Sequence, residues 1–210
     1  MLTIGITGNI ACGKSTVDAM LLAMGAAEVL DADRVVHDLL RADPDVRAAL
    51  RRAFGSEVFT SDGSVNRATL GAIVFADPGA LQMLEGITHP AVRRVIRGRL
   101  AEMPEDALVV VDAVKLLEGE LATLVDQVWW VTARVDQQLE RLTIGRGMSR
   151  EMALARLSAQ PTLEQFRHRV QVVIDNSGQL AHTRMQVEIA LKDLLASHGQ
   201  RGQGEEMVTS

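Results

Sequence analysis

Five short segments rich in apolar residues recur along the chain, at positions 2–7, 29–30, 108–111, 125–131 and 170–174. Apolar runs of this length, bounded by glycine or by polar residues, are typical of strands that are buried on both faces of a parallel sheet. Segments with helical spacing lie between them, at about 14–24, 135–159 and 180–195. The pattern therefore predicts an α/β fold with a parallel sheet flanked by helices.

The segment from 33 to 100 is different, because its apolar residues follow a helical period and no convincing strand interrupts them. Turn signals divide it at Asp43-Pro44, at Ser61-Asp62-Gly63 and at Asp77-Pro78. We interpret it as a helical insertion between the second and third strands. The last residues, 198–210, are polar and rich in glycine, and we expect them to be disordered.

The composition argues against several classes of protein. The chain has 210 residues and a formal net charge of −5, so it has no global attraction to nucleic acid or to an anionic membrane. Cys12 is the only cysteine, which excludes an intrachain disulfide. The N-terminus lacks the basic region of a signal peptide, and no apolar run approaches the roughly 20 residues of a membrane helix. We expect a cytoplasmic protein with no membrane and no nucleic-acid partner.

A glycine-rich loop follows the first strand and matches the pattern G-x-x-x-x-G-K-[ST]. Glycines let backbone N–H groups turn toward phosphates, and the following helix presents its positive end to the same anion. Lys14 is predicted to reach the β- and γ-phosphates, and the Ser15 hydroxyl to coordinate Mg²⁺. We therefore predict ATP binding by the loop and the first turn of the helix, through Gly8, Asn9, Ile10, Ala11, Cys12, Gly13, Lys14, Ser15 and Thr16.

Two aspartates follow predicted strands, where an α/β sheet faces its ligand crevice. Asp33 is placed to orient or deprotonate an attacking hydroxyl. The alternative is that it caps a helix beginning at Arg34. Asp112 is placed to hold Mg²⁺ through water or to contact substrate, and the alternative is that it caps a helix over residues 115–121.

Arginines are frequent after the fourth strand, where small kinases carry a mobile helical lid. We predict that Arg141 contacts the transferring phosphoryl group and that Arg146 contacts ATP, whereas Arg134 and Arg150 are interpreted as a solvated helix face.

His89 has no partner that the sequence reveals, and Trp129 and Trp130 are predicted to pack in or beside the sheet. A lowered pKa of the Cys12 thiol is possible next to Lys14, but a small residue that fills the loop is the simpler interpretation.

Taken together, these residues resemble the dephospho-coenzyme A kinase family over nearly the whole chain. The phosphate loop alone is shared by many unrelated proteins, whereas the combination of Asp-Ala-Asp, His-Pro and a late Asn-Ser-Gly is specific. The residues that carry the resemblance are Ile4-Gly5-Ile6-Thr7-Gly8 with Gly13-Lys14-Ser15-Thr16, Asp31-Ala32-Asp33 with His37, Leu84-Glu85 with His89-Pro90, Asp112 with Glu118, Gln138 with Arg141-Leu142, Gln160, and Ile174-Asp175-Asn176-Ser177-Gly178.

The resemblance implies an ATP-dependent phosphotransferase with an alcohol acceptor, which phosphorylates the ribose 3′-hydroxyl of dephospho-coenzyme A in the last step of coenzyme A synthesis. It implies ATP and Mg²⁺ as cofactors, with Asp33, Lys14 and Arg141 as catalytic residues. Asn176 would join the ATP site, and Asp33, His89, Asp112 and Lys115 would bind substrate. It also implies three parts: a nucleotide-binding core (1–32, 107–133 and 169–197), a helical substrate domain (33–106) and a lid (134–168).

The sequence departs from the commonest family pattern in four places. Ala11-Cys12 replaces a usual Gly-Ser, and Lys115 adds a cation near the expected substrate crevice. Gly145 stands where the lid usually has an arginine, with Arg146 one position later, which on a helix is a rotation of about 100°. Either the loop shifts by one residue, or Arg141 and Arg146 divide the task. Phe166 and Gln171 replace a usual lysine and aspartate.

Alternative functions stay open at this point. Another P-loop kinase for a nucleoside, nucleotide or sugar acid would share the loop and the lid. A nucleotide-dependent switch is disfavoured, since the sequence has no guanine-binding Asn-Lys-x-Asp. A relative that only binds coenzyme A is a third possibility. We expect a monomer or a weak homo-oligomer.

Overall fold

The computed structural model describes the backbone of residues 1–206 and the side chains of residues 1–198. Its strands are β1 (Leu2–Gly8), β2 (Glu28–Asp31), β3 (Leu108–Asp112), β4 (Gln127–Thr132) and β5 (Val172–Asp175). Its helices are α1 (Lys14–Ala23), α2 (Ala32–Ala42), α3 (Pro44–Phe54), α4 (Arg67–Ala76), α5 (Pro78–Ala101), α6 (Val135–Thr143), α7 (Arg150–Ser158), α8 (Leu163–Phe166) and α9 (Leu180–Glu206). Short 3₁₀ turns cover Glu120–Leu124 and Arg167–Arg169.

The five strands form one parallel sheet in the order β2-β3-β1-β4-β5. In this register Asp31 lies opposite Asp112, and Thr132 lies opposite Asp175. All five carboxyl ends therefore meet at one edge of the sheet, where parallel α/β proteins bind their ligands. The predicted α/β fold class and all five predicted strands are confirmed.

The side chains of the strands alternate between two hydrophobic layers, as the period of two requires. On β3, Val110 packs toward α1 and α9, whereas Val109 and Val111 pack toward the helical insertion. The two tryptophans of β4 divide in the same way, because Trp129 lies in the first layer and Trp130 in the second. Both are buried, as predicted, so neither offers a ring to a nucleic-acid base.

The insertion consists of α2, α3, α4 and α5, and within it the described residues form only one isolated β-bridge, Phe59 with Val65. Asp43 and Asp77 cap α3 and α5, and proline follows each of them at the first helical position. These are two of the predicted breaks. The long helix α5 contacts the other three helices and carries their common core.

Three local predictions were wrong. Residues 115–121 do not form a helix, since turns and a 3₁₀ turn occupy that stretch. The helix predicted over 135–159 is divided into α6 and α7 by a loop with Gly147 at φ 63°. The helix α9 ends at Glu206 instead of near 195, so the tail is helical to that residue, and positions 207–210 lie outside the described residues.

No helix within the described part of the chain has the length and apolar character that a membrane span requires.

The core of the insertion can be tested at Ile96 on α5, whose side chain is fully buried. Ile96→Ala leaves a cavity, and we expect the free energy of unfolding to fall by about 2–5 kcal/mol. Met83→Ala on the same helix is the control, because Met83 is 48% exposed and should cost no more than about 0.5 kcal/mol. Urea denaturation measures both, and equal losses would contradict a core at Ile96.

Candidate active site

The phosphate loop joins β1 to α1 and requires glycine at two positions. Gly8 has φ 147°, and a Cβ there would lie 2.2 Å from the Val131 carbonyl oxygen. Gly13 has φ 97°, and its Cβ would lie 2.0 Å from Nδ2 of Asn176. Neither position accepts a side chain without displacing its neighbours, so the two glycines of the motif fix the shape of the loop.

Residues distant in sequence hold this loop from outside. Arg141 Nη1 donates to the Ala11 carbonyl at 2.9 Å, and Ala11 itself has a left-handed φ of 59°. Asn176 Nδ2 donates to the Cys12 carbonyl at 2.9 Å. The Ile10 N–H donates to Oε1 of Gln160 at 2.6 Å. The strained conformation of Ala11 is therefore supported by contacts from α6, from the segment after α7 and from the segment after β5.

The loop opens onto a cavity of about 520 Å³. Lys14 and Ser15 begin α1 at its floor, where the backbone N–H groups of a helix N-terminus favour an anion. The cavity collects many of the predicted ATP contacts: Asn9, Ala11, Cys12, Gly13, Lys14, Ser15, Thr16, Arg141, Arg146 and Asn176. Gly8 and Ile10 are not in its lining. The side chain of Asn176 is buried and serves mainly to hold the loop, since its Oδ1 also accepts from Thr183 at 3.0 Å.

The structure places Arg141 on α6, and Gly145 and Arg146 in the loop after it. The helix α6 ends at Thr143, so Gly145 and Arg146 lie in the following loop. The rotation of about 100° between successive residues of a helix therefore does not apply to these two positions. A Cβ on Gly145 would lie 2.7 Å from the Arg141 carbonyl oxygen, which leaves no room for a side chain. Arg146 lines the cavity from the next position, together with Arg141.

Asp112 ends β3 beside Lys14, with Oδ1 at 3.9 Å from Nζ. It lines the cavity of the phosphate loop. It does not line the cavity that holds the other predicted substrate contacts, so it lies nearer the predicted ATP contacts. The alternative role as a helix cap is excluded, because no helix follows it at 115–121.

Asp18 is the residue that the sequence analysis missed. It lies on α1, one turn after Lys14, and is buried. Burial, together with the charge of Asp112 and a hydrogen bond to it, raises the pKa of Asp18 to about 8. Burial also raises the pKa of Asp112 to about 6, while Lys14 opposes that shift. The pair therefore shares one proton at neutral pH, held by Asp18, and Asp112 keeps its charge next to Lys14.

Cys12 does not have the reactive thiol that its neighbour Lys14 suggested. Its side chain is 1% exposed, and burial raises the pKa of the thiol to about 11, although Lys14 acts in the opposite direction. The thiolate is the reactive form, so the structure supports the simpler interpretation that Cys12 fills space in the loop.

Asp33 is the second residue of α2, but it does not cap that helix. Asp31 is the cap, because its Oδ1 accepts from the N–H groups of Asp33 and Arg34 at 2.9 and 3.0 Å. The helix begins at Ala32, earlier than expected, and the Asp33 side chain is left to face a second cavity. Partial burial raises the pKa of its carboxyl, the charge of Asp31 adds to this, and the charge of Lys14 opposes it.

The second cavity has a volume of about 370 Å³ and lies between the insertion and the turn after β3. It brings together three of the four predicted substrate contacts, Asp33, His89 and Lys115. Lys115 is paired with Glu85 and lies 3.6 Å from Glu118. Burial lowers the pKa of Lys115, but the two glutamates outweigh this effect and raise it above its ordinary value.

The donor atoms around Lys14 fit a hard divalent cation. Ser15 exposes its hydroxyl, and the buried Oδ1 of Asp112 has no hydrogen-bond partner among the described residues. Oxygen atoms of this kind are what Mg²⁺ prefers. No cluster of three or more His, Cys, Asp or Glu side chains in the described part of the chain is placed to hold a metal. Such an ion would depend on phosphate oxygens and water for its other ligands.

Comparison with known proteins decides between the kinases left open above. A family model described as dephospho-CoA kinase matches residues 2–182. The chain belongs to the dephospho-CoA kinase family. A dephospho-CoA kinase of Symbiobacterium thermophilum is 43% identical over 95% of this chain and 84% of its own length. One from Carboxydothermus hydrogenoformans is 41% identical over 88% of this chain and 90% of its own.

Solved structures share the fold of this chain. A crystal structure from Thermus thermophilus has a TM-score of 0.76 at 35% identity, and covers 93% of this chain and 97% of that one. A shikimate kinase from Acinetobacter baumannii, solved with shikimate, shares the fold at a TM-score of 0.52 and 16% identity, over 94% of both chains. The predicted resemblance and the predicted kinase class are confirmed, and membership in a kinase family implies use of ATP.

The carboxyl pair predicts an unusual pH dependence of stability. The folded protein holds a proton on Asp18 that the unfolded chain releases near its ordinary pKa of 3.8. Because the folded state binds more protons in this window, stability should fall as the pH rises from about 4 to about 8. Asp18→Asn mimics the protonated carboxyl and should be more stable than the wild type at pH 8 by at least about 1 kcal/mol, with little difference at pH 4.

Urea denaturation in EDTA at several pH values measures this difference. The control is Asp193→Asn on α9, since Asp193 is exposed. A stability difference for Asp18→Asn that does not change with pH would show that Asp18 is ionised in the folded protein.

Proposed function

We propose that this chain transfers the γ-phosphoryl group of ATP to the ribose 3′-hydroxyl of dephospho-coenzyme A, giving coenzyme A and ADP. The proposal rests on the adjacency of the two cavities at the carboxyl edge of the sheet. Lys14 of the first cavity lies near enough to Asp33 of the second for its charge to act on the Asp33 carboxyl. A phosphate donor bound by the loop and an acceptor held beside Asp33 would therefore meet at this edge.

On the donor side, the loop amides, the N-terminus of α1 and Lys14 bind the phosphates of ATP, and Arg141 and Arg146 lie across the cavity from them. Arg141 already holds the Ala11 carbonyl, so it fixes the loop as well as contributing charge. The Ser15 hydroxyl would hold Mg²⁺, and Asp112 lines the same cavity. Mg²⁺ neutralises phosphate charge when it is bound.

On the acceptor side, Asp33 accepts a hydrogen bond from the attacking 3′-hydroxyl and takes its proton. Its raised pKa brings this carboxylate closer to the basicity that proton acceptance requires, and its freedom from the capping role leaves both oxygens available. His89 and Lys115 line the same cavity and contact the acceptor. Asp112 lines the phosphate-loop cavity and orients the part of the acceptor that lies nearer ATP.

We assign nucleotide binding, acceptor binding and closure of the site to three different parts of the chain. Residues 1–32, 107–133 and 169–197 hold the nucleotide, residues 33–106 hold the acceptor, and residues 134–168 form the lid. Gln160 and Arg141 of the lid form hydrogen bonds with the phosphate loop, and Leu139, Leu142 and Ala153 pack against Ile10 and Ala11. We propose that the protein acts as a monomer or a weak homo-oligomer, because all of these groups come from one chain.

Release of ADP from ATP with dephospho-coenzyme A, against a control without acceptor, tests the function directly. A panel of nucleoside, nucleotide and sugar-acid acceptors run in parallel separates this activity from that of the related kinases. Binding of dephospho-coenzyme A without ADP release would contradict the proposal and identify a protein that only binds the substrate.

Asp33→Asn tests the proposed base. The amide cannot accept the proton, so we expect turnover to fall about 10²- to 10⁴-fold while the affinity for ATP stays near that of the wild type. Asp31→Asn is the matched control, because asparagine is an equally good helix cap and the Asp33 carboxylate stays in place. Loss of the Asp31 charge should lower the pKa of Asp33 and reduce turnover far less than Asp33→Asn does. Similar turnover in Asp33→Asn and the wild type would exclude Asp33 as the base.

A further inference from the structure

Arg93 is a charged residue in the acceptor cavity that the proposed mechanism does not use. It lies on α5 four residues after His89, which places both side chains on one face of the helix. Both line the 370 Å³ cavity together with Asp33. Arg93 Nη1 pairs with Glu120, whereas its Nε is buried and has no hydrogen-bond partner among the described residues. An unpaired buried donor of a cation is costly unless a ligand satisfies it.

The other cation of the cavity is already satisfied. Lys115 has two carboxylate neighbours, Glu85 and Glu118, so its charge is balanced within the protein. Glu120, the one partner that Arg93 has among residues 1–198, is 72% exposed and lies on a 3₁₀ turn. An ion pair with so exposed a partner contributes little free energy and is readily exchanged. Arg93 is therefore the cation in this cavity that has capacity for a new anion.

The acceptor supplies such an anion. Dephospho-coenzyme A carries a 5′-pyrophosphate on the same ribose as the 3′-hydroxyl that reacts, so when that hydroxyl is near Asp33 the pyrophosphate must lie close by. A guanidinium group binds phosphate oxygens through two N–H donors in a plane, a geometry that an ammonium group does not offer. The buried Nε of Arg93 and the adjacent Nη2 form such a planar pair, and Nη1, once released by Glu120, would add a donor for a second phosphate oxygen.

We propose that Arg93 binds the 5′-pyrophosphate of the acceptor, and that Glu120 holds the guanidinium in place until the pyrophosphate replaces it. This inference rests on the proposed function, and it adds a specificity-determining residue to it. Acceptors without the pyrophosphate leave Arg93 paired with Glu120 and gain nothing from it. The exchange would let the cavity distinguish dephospho-coenzyme A from small acceptors that also carry a hydroxyl group.

The experiment measures kcat and KM for dephospho-coenzyme A in ADP release by the wild type and by Arg93→Gln, Arg94→Gln and Glu120→Gln. For Arg93→Gln we expect the KM for dephospho-coenzyme A to rise roughly 10-fold or more, with kcat and the KM for ATP within a few-fold of the wild type. Arg94→Gln is the matched control. Arg94 is the next residue on α5, pairs with Asp43 at 2.7 Å and does not line the cavity.

Glu120→Gln removes the competing carboxylate, so the KM for dephospho-coenzyme A should fall a few-fold. A thermal melt of each variant checks folding, and Arg93→Lys, which keeps the charge and loses the planar donors, should have an intermediate KM. A KM for Arg93→Gln equal to that of the wild type or of Arg94→Gln would overturn the proposal. So would a loss confined to kcat. If the wild type itself released no ADP with dephospho-coenzyme A, the proposed function would fail instead.

Discussion

The parallel register of β1, β2 and β3 is the constraint on which the rest of the structure depends. It sets Asp31 opposite Asp112 and ends β1 at the phosphate loop, so that backbone donors, Lys14 and several carboxylates converge at one edge. The convergence follows from strand direction alone, because parallel strands must all present their carboxyl ends on the same side. The cavity of the phosphate loop and the second cavity both lie at this edge, one lined by Lys14 and Asp112 and the other by Asp33.

Lys14 is the cation that acts on the carboxyl groups at this edge. Asp112 lies 3.9 Å from its ammonium group, and the pKa of Asp18, Asp33 and Asp112 all lie above their ordinary values. One lysine does not neutralise so many carboxylates in a partly buried site, and the protein responds by keeping a proton on Asp18. The acidic surroundings favour a divalent cation at this edge, and such a cation would also reduce the repulsion between the carboxylates and a bound phosphate.

The helical insertion completes the site in a way that the core does not. The sheet supplies the phosphate loop and Asp112, but the second cavity needs α2 for Asp33 and α5 for His89 and Arg93. The insertion packs on the face of the sheet that carries Val109, Val111 and Trp130. The same apolar contacts that stabilise the insertion thus position the groups that line the second cavity.

The sequence by itself determined the features that depend on neighbours along the chain: the five strands, the glycines and Lys14 of the loop, the breaks at Asp43-Pro44 and Asp77-Pro78, and the family to which these motifs belong. Only the tertiary structure decided that Asp18 shares a proton with Asp112, that Arg146 lines the cavity of the phosphate loop, and that Nε of Arg93 has no hydrogen-bond partner among the described residues. The physical reason is that pKa values, cavity walls and hydrogen-bond partners arise from groups far apart in sequence, such as Ile10 and Gln160, whereas caps and strand patterns arise within a few residues.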